Sequence, residues 1–574
     1  MAVTIAEKLV GILVEAGVKR VHGVVGDSLN GIVDEIRRNS NIEWIHYRHE
    51  EAAAFAAGAE AQLTGKLAVC AGSCGPGNLH LINGLYDCHR SMAPVLAIAA
   101  HIPSGEIGTG YFQETHPDLL FRECSHYCEM ISSPNQVPRV PHIAIQYATG
   151  MKGVAVIGLS GDVAMEKIED VPLPHLLVDT PVVRPAEPEL HKLADSINKA
   201  TKITLLCGSG CAGAHGELIA FGQKILSPMV HALRGKEHVE YNNPFDVGMT
   251  GLIGFASGYY AMEESELLIM LGTDFPYKDW YPAKSAIAQI DIRPERLGRR
   301  CRIDLGLVGD VAQTLKALLP LVEQKNDSSF LDKCVERYHK SRANLDADAT
   351  KKSGDKIIHP EYLTKVINEK AAENAIFTVD VGTPTVWAAR YLKMTEGRRL
   401  LGSFSHGSMA NAMPQAIGAQ FEYPERQVIA LCGDGGFAML MGDILTIRQY
   451  NLPIKIVIFN NASLGFVAME MKVAGLPPFG TDLNNPDFAL MAQAMGMMGI
   501  KVENPEEVAP AIEKALAHNG PVIINAMVNP TELSMPPKVE LSQAKGFGIY
   551  MLKQILNGDG GEVWQTLDSN FLRR

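Results

Sequence analysis

Residues 427–461 read QVIALCGDGGFAMLMGDILTIRQYNLPIKIVIFNN, and their pattern decides the fold of this part of the chain. An apolar run, 428–432, ends in the glycine turn 433–436, and a helical pattern over 437–450 leads to a second apolar run, 454–459. Two apolar strands joined through a helix form a βαβ unit with parallel strands. The sequence therefore predicts an α/β, doubly wound parallel sheet.

Asp434 and Asn461 follow the two strands of this unit. Both are expected at the carboxyl edge of the sheet, where α/β proteins usually bind ligands. The glycines let backbone N–H groups approach a phosphate, and the following helix presents the positive end of its dipole. Carboxylate and amide oxygens also suit Mg²⁺. A plain strand-to-helix turn followed by a solvated pair of Asn residues is the simpler alternative.

Length and composition indicate a large soluble globular protein. The 574 residues are enough for several domains, with 47% hydrophobic and 20% charged residues. A net charge of −12 excludes nucleic acid as the main partner, because phosphate backbones require a basic surface. The N-terminus lacks a basic segment and a continuous apolar core, which predicts a cytoplasmic protein. Its ten cysteines are therefore expected to be reduced.

Glu50 lies where a predicted strand, 42–47, meets an alanine-rich helix, 52–63. A carboxylate in the first turn of a helix complements the helix dipole, and this is the simplest explanation of Glu50 from the residues alone.

A second α/β pattern begins at residue 203 with a strand that runs into Gly208-Ser209-Gly210. A single Gly-x-Gly turn is a weak dinucleotide signal. It is strengthened by the glycine-bounded segment 250–254 and by two further strands, 267–273 and 286–290. The last strand ends on Asp291, a carboxylate suited to accepting hydrogen bonds from ribose hydroxyls.

The chain carries Gly433-Asp434-Gly435 and then a pair of Asn residues, of which Asn461 lies 27 residues after Asp434. This pattern resembles the diphosphate–Mg²⁺ motif of thiamine-diphosphate enzymes. Over its whole length the chain resembles the bacterial flavoprotein pyruvate oxidases, also called quinone-dependent pyruvate dehydrogenases. The resemblance implies three doubly wound parallel-sheet domains and an amphipathic tail. The implied bounds are 1–182 for the pyrimidine-binding domain, 183–333 for the FAD-binding domain, 334–530 for the diphosphate- and Mg²⁺-binding domain and 531–574 for a membrane-binding tail.

The resemblance also implies the site residues. In the Arg48-His49-Glu50 context, Glu50 would hydrogen-bond the aminopyrimidine ring of thiamine diphosphate and favour the tautomer that removes the C2 proton. Phe112, Gln113 and Phe466 are the other catalytic candidates, and a core aromatic is the alternative for Phe112. The implied Mg²⁺ ligands are Asp434, Asn461 and Ser463. The implied thiamine-diphosphate contacts are Glu50, Val381, Gly382, Thr383, Gly407, Ser408, Met409, Asp434, Gly435, Gly436, Asn461, Ala462, Ser463, Leu464, Gly465, Phe466 and Val467. The implied FAD contacts are Thr250, Gly251, Leu252, Ile253, Gly254, Thr273, Asp274, Phe275, Pro276, Tyr277 and Asp291.

The implied activity is oxidative decarboxylation of pyruvate to acetate and CO₂, with electrons passing through FAD to ubiquinone. The enzyme would be a homo-oligomer, at least a dimer and by the resemblance a tetramer, activated by phospholipid on the inner face of the cell membrane. Its tail carries Val563, Trp564, Leu567 and Phe571 at helical spacing, as in an interfacial helix; a helix packed on its own protein is the alternative. An acetohydroxyacid synthase-type carboligase and a phosphate-dependent pyruvate oxidase are the alternative activities. The carboligase branch typically carries tryptophan after the paired Asn, whereas this chain reads FVAMEM over 466–471.

Overall fold

The computed structural model describes residues 2–172, 182–351, 356–532 and 550–551. Three six-stranded sheets, each built from a consecutive part of the chain and each entirely parallel, confirm the predicted α/β fold. Within these described residues, no helix is long and apolar enough to cross a membrane. The predicted tail helix lies outside them.

The N-terminal domain places its parallel strands in the order β3-β2-β4-β5-β7-β6, and an antiparallel pair, β1 and β8, stands apart from this sheet. Its strands are β1 (Ala2–Thr4), β2 (Arg20–Gly23), β3 (Glu43–His46), β4 (Ala68–Gly72), β5 (Val95–His101), β6 (Tyr127–Ile131), β7 (Val154–Ser160) and β8 (Lys167–Glu169). Its helices are α1 (Ile5–Glu15), α2 (Asn30–Arg38), α3 (Glu50–Thr64), α4 (Pro76–Arg90), α5 (Pro117–Leu120), α6 (Arg139–Gly150) and α7 (Gly161–Ala164).

The central domain has the strand order β11-β10-β9-β12-β13-β14. Its strands are β9 (Ile203–Cys207), β10 (Met229–His231), β11 (Asp246–Met249), β12 (Leu267–Leu271), β13 (Ala286–Asp291) and β14 (Leu305–Val308). Its helices are α8 (Glu187–Lys199), α9 (His215–Ile225), α10 (Lys236–Val239), α11 (Ala256–Glu263) and α12 (Val311–Leu318). Counted along the chain this order is 3-2-1-4-5-6, the order of dinucleotide-binding sheets, which bind at the switch point between the first and fourth strands.

The C-terminal domain follows α13 (Ser329–Asp348) and has the strand order β16-β15-β17-β18-β20-β19. Its strands are β15 (Ile376–Val379), β16 (Arg399–Gly402), β17 (Val428–Gly433), β18 (Lys455–Asn460), β19 (Met498–Val502) and β20 (Val522–Met527). Its helices are α14 (Pro360–Lys370), α15 (Thr383–Tyr391), α16 (Ala412–Glu422), α17 (Asp434–Leu440), α18 (Ile444–Gln449), α19 (Gly465–Val473), α20 (Phe488–Ala494) and α21 (Pro505–Ala517). Counted from the first strand of each sheet, the C-terminal and N-terminal sheets share the order 2-1-3-4-6-5.

The outer two domains pack against each other through α3 and α16. Alanines on α3 allow the two helices to approach so closely that a Cβ at Gly418 would lie 2.1 Å from the carbonyl oxygen of Ala56. One hydrophobic cluster contains buried residues of both helices, including Phe55 and Ile417. This packing holds α3, the helix that begins at Glu50, against the C-terminal domain.

One predicted helix has other bounds than expected. The helix predicted over 437–450 begins at Asp434 and is divided into α17 and α18 by a 3-10 turn, 441–443. Asp443 accounts for the division, because its Oδ1 accepts hydrogen bonds from the Arg48 amide and the Thr446 hydroxyl, at 2.8 Å each.

Candidate active site

Three turns meet at the carboxyl edge of the C-terminal sheet. They follow the adjacent strands β15, β17 and β18, and three helices, α15, α17 and α19, start there. A Cβ at Gly465 would lie 3.4 Å from Cγ2 of Thr383 and 2.7 Å from Nδ2 of Asn461. Backbone N–H groups at helix starts favour an anion such as a diphosphate.

Asp434 is the first residue of α17 and is almost completely buried. Its Oδ1 accepts a hydrogen bond from the Gly435 amide (3.0 Å), and its Oδ2 accepts one from Nδ2 of Asn485 (2.7 Å). Burial raises the pKa of this carboxyl above its ordinary value. A divalent cation would offset that cost, because a nearby positive charge favours the ionised carboxylate.

Asn461 lies in a tight loop after β18. Its Oδ1 accepts a hydrogen bond from the Ser463 amide (3.1 Å), and Ala462 between them has a positive φ of 52°. The loop closes one side of a small cavity whose lining includes Thr383, Trp387 and Glu532. Glu532 Oε2 is already paired, with Nδ1 of His359 at 2.6 Å and Nδ2 of Asn529 at 2.9 Å.

An apolar wall adjoins the glycine turn. A Cβ at Gly435 would meet Leu464 Cδ2 at 2.9 Å, Leu483 Cδ1 at 3.3 Å and Met409 Cε at 3.4 Å. Met409 therefore lies beside the turn. The turn that contains Ser408, directly before Met409, is fixed by Asn83, whose Nδ2 donates to the Ser408 hydroxyl at 2.9 Å.

Glu50 is the first residue of α3, and its side chain is buried. Its Oε2 lies 2.9 Å from Nδ1 of His80, and a Cβ at Gly77 would lie 3.0 Å from its Oε1. His80 on α4 is 45% exposed, so it connects the buried carboxylate to solvent. The sequence offered no signal for His80, because only the packing of α3 against α4 brings it to Glu50.

Phe112 and Gln113 lie on a loop that packs, through Gln113, against the turn 74–77, and this turn also borders Glu50. A Cβ at Gly75 would lie 2.9 Å from Cβ of Gln113, and the Cys74 thiol is 3.4 Å from its Oε1. Gln113 has a φ of 63°. Phe112 is 78% exposed, so the alternative of a core aromatic is wrong. Glu114 holds this loop through the Gly110 and Tyr111 amides, at 2.7 and 3.1 Å.

Within one chain, the contacts of Glu50 and Asp434 are separate. The carboxylate of Glu50 faces N-terminal residues, and that of Asp434 faces C-terminal residues. The start of α3 meets the C-terminal domain at Asp443, which follows the far end of α17, through the Arg48 amide. Seven helical residues span roughly 10 Å, so the Arg48 backbone, two residues before Glu50, meets the C-terminal domain beyond the end of α17 opposite Asp434.

The central domain has a narrow cradle at its switch point. A Cβ at Gly208 would lie 2.5 Å from the carbonyl oxygen of Gly272 and from Cβ of Thr273, and a Cβ at Gly210 would lie 2.6 Å from Cα of Gly272. Glycine is thus required where the loops after β9 and β12 touch.

The segment 250–254 fits a polar ligand such as FAD. Thr250 is 2% exposed, yet its Oγ1 has no hydrogen-bond partner among the described residues. A buried hydroxyl is normally paired, so this atom is suited to a ligand. Nε of Arg390 donates to the Ile253 carbonyl at 3.1 Å, which holds the segment against the C-terminal domain. Ile253 and Phe466 pack on the same hydrophobic cluster there.

The two acidic residues that were predicted to contact FAD, Asp274 and Asp291, differ in their surroundings. Asp291, at the end of β13, is buried, accepts a hydrogen bond from the Arg293 amide at 2.9 Å and has a pKa raised by burial. Asp274 is instead held by the guanidinium groups of Arg299 and Arg300. The remaining predicted positions are half-buried at Val381, Gly382, Thr383, Ser408, Ser463, Leu464, Gly465, Phe466 and Leu252, exposed at Gly407, Ala462, Val467, Pro276 and Tyr277, and buried at Gly251, Gly254, Gly436, Thr273 and Phe275.

These features define an α/β protein with helix starts, Asp434 and Asn461 at one sheet edge, a buried carboxylate in another domain and a sheet of dinucleotide-type strand order between them. Comparison with known families specifies the class. The chain matches the N-terminal thiamine pyrophosphate binding domain over residues 3–120, the central domain of these enzymes over 190–318 and the C-terminal thiamine pyrophosphate binding domain over 380–526.

Similar proteins align along almost the whole chain. A putative thiamine pyrophosphate-containing protein, YdaP, from Bacillus subtilis is 40% identical, covering 98% of this chain and 97% of that protein. A pyruvate oxidase from Lactiplantibacillus plantarum is 30% identical, with 92% and 89% covered. A probable acetolactate synthase large subunit from Methanocaldococcus jannaschii is 31% identical, with 93% of each covered. The chain belongs to the thiamine pyrophosphate enzyme family.

Proposed function

We propose that the protein is a pyruvate:ubiquinone oxidoreductase. Pyruvate and water would give acetate and CO₂, and the two electrons and two protons released would reduce FAD, which ubiquinone then reoxidises. The observation that supports FAD binding most directly is the buried Thr250 hydroxyl, which has no hydrogen-bond partner among the described residues. It lies in the domain whose sheet has the strand order of dinucleotide-binding proteins. The similar pyruvate oxidase supports the reaction class.

Thiamine diphosphate supplies, when bound, a nucleophilic carbon for the keto group and an electron sink for the loss of CO₂. In this proposal Asp434, Asn461 and the Ser463 carbonyl hold Mg²⁺, and the helix starts around them hold the diphosphate. Glu50 would hydrogen-bond the aminopyrimidine ring and accept, by way of that ring, the proton removed from C2. His80, which lies 2.9 Å from Glu50, would exchange this proton with solvent. Phe112 and Gln113 flank the substrate from the exposed loop above Gly75.

We also propose that each site is completed by a second copy of the chain. The support is that the carboxylates of Glu50 and Asp434 have separate contacts within one chain. In addition Arg48, two residues before Glu50, meets the C-terminal domain beyond the end of α17 opposite Asp434. A closed dimer would join the Glu50 half of one copy to the Asp434 half of the other. A tetramer remains the expectation from the resemblance.

A carboligase making acetolactate is the second candidate, favoured by the similarity to acetolactate synthases. Both candidates would use the same thiamine and FAD residues. The segment after the paired Asn favours the oxidase, since it carries Phe466 and no tryptophan up to Met471.

One assay separates the candidates. Purified protein is supplied with pyruvate, thiamine diphosphate, Mg²⁺, FAD and a ubiquinone analogue, and the products are quantified. The proposal predicts acetate and reduced quinone in equal amounts. Acetolactate without quinone reduction would establish the carboligase, and acetyl phosphate formed only with added phosphate would establish the phosphate-dependent oxidase.

Membrane attachment is part of the proposal, with the enzyme peripheral on the inner face of the cell membrane. It is motivated by the apolar spacing of Val563, Trp564, Leu567 and Phe571. Truncation after Gly560 is expected to remove binding to phospholipid vesicles while basal activity remains. Unchanged co-sedimentation would mean that this segment is not the lipid contact.

A further inference from the structure

A strap, defined as residues 481–485, lies along the loop that carries Asn461. The Leu464 amide donates to the Thr481 carbonyl and the Leu483 amide to the Ala462 carbonyl, at 2.8 Å each. Ser463 and Asp482 form an antiparallel bridge between them. The strap therefore fixes the loop and carries its own last residue, Asn485, to the neighbouring turn at Asp434.

Asn485 joins the two turns that hold the proposed cation ligands. Its Nδ2 donates to Oδ2 of Asp434 at 2.7 Å and to Oδ1 of Asn460 at 3.1 Å. A side-chain amide has two N–H hydrogens, and both are used. One half-buried group thus spans from the turn after β17 to the turn after β18.

Asn460 is itself fixed from behind. It is 2% exposed, its Nδ2 donates to Oδ1 of the buried Asn525 at 3.0 Å, and its Oδ1 also accepts from the Ala462 amide at 3.2 Å. Only one orientation of each amide makes every contact a donor-to-acceptor pair. Donation therefore runs outward from Asn485, to the Asp434 carboxylate on one side and through Asn460 to Asn525 on the other.

The chemistry of Asn485 suits a group placed behind a metal ligand. A neutral amide restrains the Asp434 carboxylate without cancelling its charge, whereas an Arg or Lys there would compete with a cation. Groups that orient ligands typically contribute 10–100-fold to metal affinity.

We propose that Asn485 is a positioning residue for the divalent cation, holding the Asp434 carboxylate and the Asn460–Asn461 loop in the binding arrangement before the cation arrives. The inference rests on the proposed Mg²⁺ site. It assigns Asn485 no contact with substrate.

The test measures cation binding directly. Mg²⁺ is titrated calorimetrically into the full-length protein at saturating thiamine diphosphate, for wild type, Asn485→Ala, Asn485→Leu and the control Asn484→Ala, whose side chain is exposed. Asn485→Leu keeps the volume while removing both donors, in case the Ala variant does not fold. We expect a roughly 10–100-fold rise in the Kd for Mg²⁺ for both Asn485 variants and no change for the control.

A second readout distinguishes positioning from general damage. With excess Mg²⁺ the Asn485 variants should regain turnover with an unchanged KM for pyruvate. An unchanged Kd for Mg²⁺ in both variants, or a loss that excess Mg²⁺ does not restore, would overturn the positioning role alone. Failure of the wild-type protein to bind Mg²⁺ with thiamine diphosphate would overturn the proposed site itself.

Discussion

The N-terminal and C-terminal sheets have the same strand order but carry different chemistry at their carboxyl edges. In the N-terminal half the acid is Glu50, after the second strand, and its partner is the half-exposed His80. In the C-terminal half it is Asp434, after the third strand, enclosed by Asn485 and backbone amides. One arrangement suits proton exchange with solvent, and the other suits holding a cation. A shared frame thus leaves the chemistry to a few residues at strand ends.

The largest effect should come from removing the proton-accepting group of the N-terminal half. Glu50→Gln is isosteric but cannot take up a proton, so kcat is expected to fall roughly 10²–10⁴-fold. Turnover with pyruvate and a quinone analogue measures the loss, and the flavin absorbance should stay as in wild type. The control is Glu51→Gln. It removes the same negative charge at the next residue of the chain, and its side-chain oxygen can still accept the hydrogen bond from Asn83. Wild-type turnover in Glu50→Gln would remove Glu50 from the mechanism.

The C-terminal half should respond through cation binding. Asp434→Ala removes a proposed Mg²⁺ ligand, so it should weaken Mg²⁺ binding by more than about 100-fold. This loss should exceed that of the Asn485 variants, because Asn485 only orients a ligand. Calorimetric titration at saturating thiamine diphosphate measures this change. If Asp434→Ala binds Mg²⁺ as the wild type does, the cation lies elsewhere and the contrast between the halves fails.

The central sheet, with its different strand order, provides an internal reference. Thr250→Val removes the unpartnered hydroxyl while keeping the side-chain shape. Loss of one hydrogen bond of about 1 kcal/mol should weaken FAD binding roughly fivefold. Fluorescence titration of the apoprotein with FAD measures this, and binding of thiamine diphosphate should not change. Unaltered FAD affinity would exclude a contact with Thr250.

The smallest effect concerns the pH dependence of thermal stability. It compares the acidic residues that follow the first strand of the C-terminal and N-terminal sheets. Asp380, after β15, is buried, and burial raises its pKa to about 7. Its protonated form stabilises the fold fully below its unfolded pKa of about 4, and this contribution is lost as pH rises through about 7. Asp380→Asn should therefore raise the Tm of the apoprotein at pH above about 7 relative to wild type, and the difference should shrink as the pH falls toward about 4.

The matched position in the N-terminal half supplies the control. β2 ends at Gly23, and the nearest following acid, Asp27, is exposed. Asp27→Asn should leave the pH dependence of the Tm unchanged. Equal effects of the two substitutions would mean that burial of Asp380 does not set this dependence.

The sequence predicted the frame well because strands and glycine turns are local signals. The βαβ unit at 428–459 and the second α/β pattern from residue 203 followed from apolar runs and their spacing, and the set of three domains followed from the family resemblance. Residues whose role depends on contacts between distant segments were not predictable: His80 reaches Glu50 across two helices, and Asn485 reaches Asp434 through the strap. The division between α17 and α18 was missed for the same reason, since Asp443 is held by the amide of Arg48, 395 positions away.

The most direct test of two half-sites per chain is complementation between inactive variants. Glu50→Gln and Asp434→Ala chains are co-expressed with different tags, mixed complexes are isolated through both, and turnover with pyruvate and quinone is measured. If each site joins Glu50 of one copy to Asp434 of another, a mixed dimer keeps one intact site of two, so about half of wild-type turnover should return. Turnover no higher than that of either variant alone would contradict the account, because both groups would then have to act within one chain.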